Sequence, residues 1–185
     1  MKFAHPESRH SGIVVALSAL RSESSHACGE FPDLVLLGDL ARSWNFDLVQ
    51  LLPVNDTGGM SSPYTALSAF ALHPLYLRLS DLPEARSRPE FAQKARALAD
   101  MHAADERFAY GPYRAAKLAL LEELFTASRG KREADAWLEA VGGFPDWLEE
   151  NSWVKGYAIF SELKRRAGGK PWWEWARYRD PGAAG

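Results

Sequence analysis

The sequence predicts an α/β fold in which one strand–helix–strand unit is followed by a long, mainly helical region. Two observations carry the first half. Short apolar runs stand at Gly12 to Leu17 (GIVVAL) and Leu48 to Leu52 (LVQLL), and helically spaced apolar residues lie between them. The third observation is the stretch from Pro83 to the end, which has helical periodicity and no further strand.

Ile13, Val14 and Val15 are β-branched, which suits a strand buried on both faces. A polar loop, Ser18 to Gly29, leads to Phe31 and Pro32, which introduce a helix whose Leu34, Leu37, Ala41 and Trp44 recur at steps of three and four. Asn45 ends it, and Pro53 ends the second strand. Such a unit pairs its strands in parallel through a right-handed crossover.

Asn55 to Pro63, NDTGGMSSP, is a turn-rich loop at the C-terminal end of the second strand. Loops in that position carry ligands in α/β folds, so it is a functional candidate on position alone. Ser68 to Leu79 is apolar and interrupted by Pro74, and Pro83 to Arg107 has modest helical periodicity. Tyr113, Ala116, Leu120, Leu121, Leu124 and Phe125 predict an amphipathic helix. Gly142 and Gly143 break the next helical stretch. Asp146 with Glu149 predicts a capping box for the helix carrying Trp153, Tyr157, Phe160 and Leu163, which Gly168 and Gly169 close.

Two parallel strands do not make a stable sheet alone, and a complete α/β barrel takes roughly 250 residues. The order therefore reads as the N-terminal part of a (β/α)8 TIM barrel with a helical insertion, the barrel incomplete in these 185 residues. Residues 1–82 form the first βαβ portion with its loop, and 83–185 the mainly helical insertion subdomain.

Composition excludes several classes. A net charge of -2 without basic or acidic blocks argues against a nucleic-acid partner. No run approaches the roughly 20 apolar residues of a membrane helix, and the N-terminus has no signal-peptide stretch. The single cysteine, Cys28, forms no intrachain disulfide, which together with the missing signal implies a cytoplasmic location. His5, His10, His26 and His102 lack metal-ligand spacing. Seven Trp, six Tyr and nine Phe suit either a packed core or the stacking of sugar rings.

The segment Gln50 to Pro83, QLLPVNDTGGMSSPYTALSAFALHPLYLRLSDLP, resembles the signature of glycoside hydrolase family 77, the 4-alpha-glucanotransferases or amylomaltases. The matching positions are Leu52-Pro53, Thr57-Gly58, Ser62-Pro63-Tyr64, Ser68-Ala69-Phe70 and His73-Pro74, where many members carry Asn-Pro. Leu17 to Leu34 resembles the first strand-end loop and helix of bacterial members, and Pro171-Trp172…Trp175 the Trp-rich close of the family's helical insertion.

The resemblance implies retaining transglycosylation between α-1,4-glucans (maltodextrins), with no metal or organic cofactor. It places the catalytic carboxylates on later barrel strands, in Arg-x-Asp-His, Glu-Asp-Leu-Gly and His-Asp-Asn segments that are absent here, so no catalytic residue is expected in this chain and the chain alone is expected to be inactive. Asp56 is not the family's nucleophile. By the same resemblance Tyr64 stacks on the sugar at the cleavage site, Ser62 is a neighbouring hydrogen-bond donor, and Pro63 fixes the backbone between them. The expected partners are α-glucans and the rest of the barrel. The alternative is a non-catalytic remnant that binds α-glucan or a protein.

Away from Tyr64 the structural reading prevails. Ser68-Ala69-Phe70 is read as packing, His73 as a satisfied structural histidine and Cys28 as inert. The Trp172, Trp173 and Trp175 cluster is read as packing rather than a glucan platform, and Lys164, Arg165 and Arg166 as a solvated last helical turn.

Overall fold

The computed structural model describes residues 9–25, 27–102, 107–128 and 143–179. β1 (Gly12–Val15) and β2 (Leu48–Leu51) pair in parallel, with Gly12 opposite Leu48 and Val15 opposite Leu51. Between them runs α1 (Asp33–Ser43). Asn45 adopts a left-handed φ of 59° that stops α1, and the Phe46 N–H returns to the Ala41 carbonyl at 2.9 Å.

Two expectations about this unit are corrected. β1 is not buried on both faces: its residues alternate in exposure and Val14 is 60% exposed. Among the described residues α1 is the helix that packs on the pair, through β2, so the outward residues of β1 stay open to solvent. Trp44 is also exposed, its ring edge-on to Phe46, because the buried stripe of α1 runs through Asp33, Leu37 and Ala41 instead.

Two 3-10 turns, Pro74–Tyr76 and Leu79–Asp81, lead into α2 (Pro83–Arg86) and α3 (Pro89–His102). α4 (Tyr110–Ser128), α5 (Phe144–Glu150) and α6 (Trp153–Arg166) follow. Proline opens several of these elements, where its missing N–H has no intrahelical partner to lose. The buried face of α4 holds Tyr113, Lys117 and Leu124, while Phe125, expected on the apolar stripe, points to solvent.

The capping box is a further correction. Asp146 and Glu149 both lie inside α5, which Gly143 opens without a side-chain cap, and α6 begins afresh at Trp153. Asn151 divides the two: its side-chain amide donates to the Trp147 carbonyl at 2.9 Å, an acceptor that belongs to the helix. At the other end of α6 the Gly168 and Gly169 N–H groups return to Arg165 and Lys164 carbonyls, at φ of 67° and 79° that glycine adopts without strain. Arg165 and Arg166 pair with exposed Glu162, as a solvated last turn would.

The core lies beside the sheet, not on it. Ala27, Cys28, Leu75, Leu98 and Tyr113 form the larger cluster, joined by Phe108, Tyr110, Ala116 and Leu120. A smaller one joins Ala85, Phe91 and Leu124. The loops of the βαβ unit are thus packed against α3 and α4. No described helix is long and apolar enough to cross a membrane. His5, His26, Gly142 and the helical stretch expected before Gly143 lie outside the described residues.

Candidate substrate-binding site

The loop after β2 is folded tightly upon itself. The Asp56 N–H donates to the Ala71 carbonyl (2.9 Å), the His73 N–H to Val54 (3.0 Å) and the Leu67 N–H to Asp56 (2.7 Å). Asn55 Nδ2 adds a bond to the Ala69 carbonyl at 2.9 Å. Asp56 is buried, and its Oδ1 accepts the Gly58 N–H at 2.8 Å in a local turn. Gly58 sits at φ 60°, and a Cβ there would lie 2.7 Å from Leu67 Cδ1. Only glycine meets both demands.

Out of this frame projects Ser62-Pro63-Tyr64. The Tyr64 N–H donates to Ser62 Oγ at 3.4 Å, which leaves the serine proton available for another acceptor. The Thr65 N–H and hydroxyl both donate to the Ser62 carbonyl, at 3.2 and 2.8 Å. The Tyr64 ring is 72% exposed.

The loop is held from behind by two tyrosines of the helical region. Tyr110, at the start of α4, donates its hydroxyl to the Gly58 carbonyl at 2.7 Å and lies 3.0 Å from Thr57 Oγ1. Tyr157 of α6 donates to Asp56 Oδ2 at 2.5 Å, and burial, aided by the adjoining carboxylate, raises its pKa. His73 completes the network. Its Nδ1 accepts the Leu75 N–H at 3.1 Å, and its Nε2 is 2.8 Å from Tyr110 Oη and 3.7 Å from Asp56 Oδ1. Burial lowers its pKa to about 4, and Arg114 and Lys117 act in the same sense against the pull of Asp56. The ring is therefore neutral at pH 7, with its proton on Nε2 facing Tyr110. His73 is the satisfied structural histidine that the sequence suggested.

A second polar cluster anchors the segment before α1. Glu30 is fully buried; Lys117 Nζ lies 2.6 Å from its Oε1 and Arg78 Nε 3.0 Å from its Oε2. Arg78 also reaches Asp33 Oδ1 at 2.6 Å. Ser22 and Ser25 donate to the two Asp33 oxygens, and Lys117 to the Leu75 carbonyl. Burial works against the Asp33 carboxylate, but these bonds hold its pKa below the usual value. Glu30, Asp33 and Lys117 are all buried, and the cluster acts as a joint between α1, the Pro74 turn and α4.

Neither Tyr110, Tyr157 nor this cluster was legible as such. A lysine at position 117, one turn from Tyr113 and within the apolar stripe, was the available signal. Among the described residues no group of histidine, cysteine or acidic side chains could hold a metal ion. Cys28 is buried, and burial pushes its thiol up to about 12. The tryptophans divide. Trp175 is buried, bonded through Nε1 to the Lys170 carbonyl and packed on Phe160, whereas Trp172 and Trp173 are largely exposed. Phe70, read as packing, does stack on Trp153 but leaves 66% of itself open.

The comparisons with known proteins agree with one another. The family model described as 4-alpha-glucanotransferase matches residues 15–184. A 4-alpha-glucanotransferase of Chlamydia pneumoniae is 34% identical over 169 residues, 90% of this chain and 31% of that protein. One from Oryza sativa subsp. japonica is 41% identical over 165 residues, 84% of this chain and 16% of the relative. One from Thermus thermophilus is 33% identical over 130 residues, 68% of this chain and 23% of the relative. The chain thus spans less than a third of the length of each of these relatives. No solved structure matches it. The chain belongs to the 4-alpha-glucanotransferase family, glycoside hydrolase family 77, of which it represents an N-terminal part.

Proposed function

We propose that this chain is the substrate-loop portion of an enzyme that transfers α-1,4-glucan segments between maltodextrins. The observation that carries the reading is Tyr64: a large aromatic ring, 72% exposed, on a loop whose backbone is bonded at nearly every turn. An exposed ring on a rigid support is what stacking on a pyranose needs, because little freedom is lost on binding. Ser62 Oγ, with its proton free, supplies a hydrogen bond to a sugar oxygen beside that ring.

In the whole enzyme, β1 and β2 are the first strands of a (β/α)8 barrel, with residues 1–82 forming the βαβ portion and 83–185 an insertion beside it. The open face of β1 is consistent with further strands and helices closing over it. The carboxylates belong to those later strands. One attacks the anomeric carbon while the other protonates the departing 4-oxygen; a second sugar's 4-hydroxyl then displaces the enzyme carboxylate and gives its proton back to the second carboxyl group. Retention of this kind places the two carboxyl groups about 5–5.5 Å apart. This chain's part is to bind and orient the sugar through Tyr64 and Ser62, without a metal or organic cofactor, and to associate with the remaining part of the barrel.

The test is maltotriose disproportionation by the 185-residue chain, following glucose release and formation of longer oligosaccharides. No turnover is expected from the chain alone. Clear turnover would overturn the assignment of the carboxylates to other segments, and Asp56→Asn would then be the first variant to make.

A further inference from the structure

Two adjoining hollows, about 250 and 430 Å³ in volume, share Gly156 and Phe160 and so form one trough along α6. It begins at the substrate loop, where Leu67, Ser68 and Phe70 meet Trp153. It ends at Trp172, Trp175 and Tyr178. Trp153, Tyr157 and Phe160 lie on one face of α6, and the step from 153 to 160 covers about 10 Å of helix.

Three features set this trough apart from ordinary packing. Its walls are aromatic rings: Phe70 stacks one face on Trp153 at 5.6 Å and 26° yet stays largely exposed, as does Tyr178, and Trp172 is about half exposed. The fixed ring is Trp175, which underpins Phe160. Secondly, the waist where the hollows join carries Gly156, in mid-helix, where glycine is a poor helix former. No neighbour demands it: a Cβ at 156 would meet nothing within 4 Å. The glycine keeps the trough open instead. Thirdly, Tyr178 holds a left-handed φ of 62° with the Arg177 guanidinium 5.3 Å over its ring, a strained placement of the kind found at ligand clamps.

We infer that this trough binds an α-1,4-glucan chain, as a continuation of the loop that carries Tyr64. The inference rests on the functional reading above and extends it to a second stretch of the same substrate. Flat aromatic faces suit the C–H faces of successive pyranose rings. Ser68 Oγ accepts the Phe70 and Ala71 N–H groups, leaving its proton to donate to a sugar hydroxyl. The lining is otherwise almost uncharged, with Arg179 at one end, which favours a neutral polyol over an ion. Continuity with the substrate loop argues for the glucan over a second copy of the chain.

The experiment is calorimetric titration of the 185-residue chain with maltotriose and maltoheptaose, on the wild type, Gly156→Gln, Trp172→Ala and Tyr64→Ala. The wild type should bind maltoheptaose more tightly than maltotriose. Gly156→Gln should weaken maltoheptaose by about tenfold and erase the length preference, with a melting temperature unchanged or raised. A glycine kept for packing would instead lower the melting temperature. Trp172→Ala should weaken maltoheptaose in the same direction. Unchanged affinity in both trough variants overturns the inference, and the reading of Tyr64 stands if Tyr64→Ala alone weakens binding. If Gly156→Gln weakens binding and Tyr64→Ala does not, the trough stands and the Tyr64 reading falls. No maltoheptaose binding by the wild type overturns the trough. So does self-association that Gly156→Gln disperses without any sugar binding, which would make the trough a contact between copies.

Discussion

Lys117 Nζ and Glu30 Oε1 lie 2.6 Å apart with both side chains sealed from solvent, although the residues are 87 positions apart in the chain. The pair ties α4 to the segment that opens α1, and Arg78 extends it to Asp33. Burial pulls the Lys117 pKa down and Glu30 opposes it, so the ammonium depends on its partner.

Removing Lys117 takes one of two cationic partners from the buried Glu30 carboxylate and leaves Arg78 at Oε2, whereas removing Glu30 leaves the buried Lys117 ammonium with the Leu75 carbonyl. Lys117→Met should destabilise the chain by about 1.5–3 kcal/mol in urea denaturation, the loss of one hydrogen bond to a buried charge that keeps Arg78. Glu30→Gln combined with Lys117→Met should cost clearly less than the sum of the single changes. Additive losses would show that the two groups are not coupled.

Tyr110→Phe removes the donor to the Gly58 carbonyl and the acceptor facing His73 Nε2. The expected loss is about 1–3 kcal/mol. Amide exchange should accelerate at Met60 and Leu67, whose N–H groups bond within the loop, while α3 and the far end of α4 keep their protection. Equal acceleration throughout would mean that Tyr110 supports the core rather than the loop.

Gly58→Ala meets both a φ of 60° and Leu67 Cδ1 at 2.7 Å. A left-handed backbone alone costs an L-residue about 1–2 kcal/mol, and the contact adds to it. Thermal denaturation should show the loss. An unchanged midpoint would mean the loop has another conformation of similar energy.

His73 makes stability depend on pH. Its folded pKa of about 4 lies below the ordinary 6.5, because burial disfavours the imidazolium. The folded state therefore prefers the neutral ring. That contribution is complete above pH 6.5, and it disappears as pH falls from there to about 4. The difference corresponds to about 3 kcal/mol. Denaturation of wild type and His73→Gln across this window should give curves that converge at low pH. Parallel curves would exclude His73 as the source.

Cys28 should not react with a thiol reagent such as DTNB at pH 8 while the chain is folded, since the buried thiol holds its proton up to about 12. Urea should expose it. Rapid labelling of the folded chain would show that the Ala27–Cys28 segment opens.

The strand–helix–strand unit, the end of α1 at Asn45, the glycine close of α6 and the turn-rich loop after β2 were all readable in sequence. Each depends on neighbours in the chain: β-branched runs, apolar residues one helical turn apart, and residues with special φ. The long motif from Gln50 to Pro83 carried the family for the same reason. Where neighbours compete, local signals misled. Asp146 and Glu149 had capping-box spacing, yet Gly143, Pro145 and Asn151 set the limits of α5.

The sequence by itself determined the family, the order of the first elements and the loop on which Tyr64 stands. Only the tertiary structure decided which surfaces those elements bury. It brought Tyr110 and Tyr157 behind the loop, sealed Lys117 against Glu30, left β1 open and divided the Trp172, Trp173 and Trp175 cluster into one buried ring and two exposed ones. The physical reason is distance along the chain. Hydrogen bonds spanning 52, 87 and 101 residues satisfy groups whose burial no local pattern encodes, because whether a polar atom needs a partner depends on what the rest of the chain places around it.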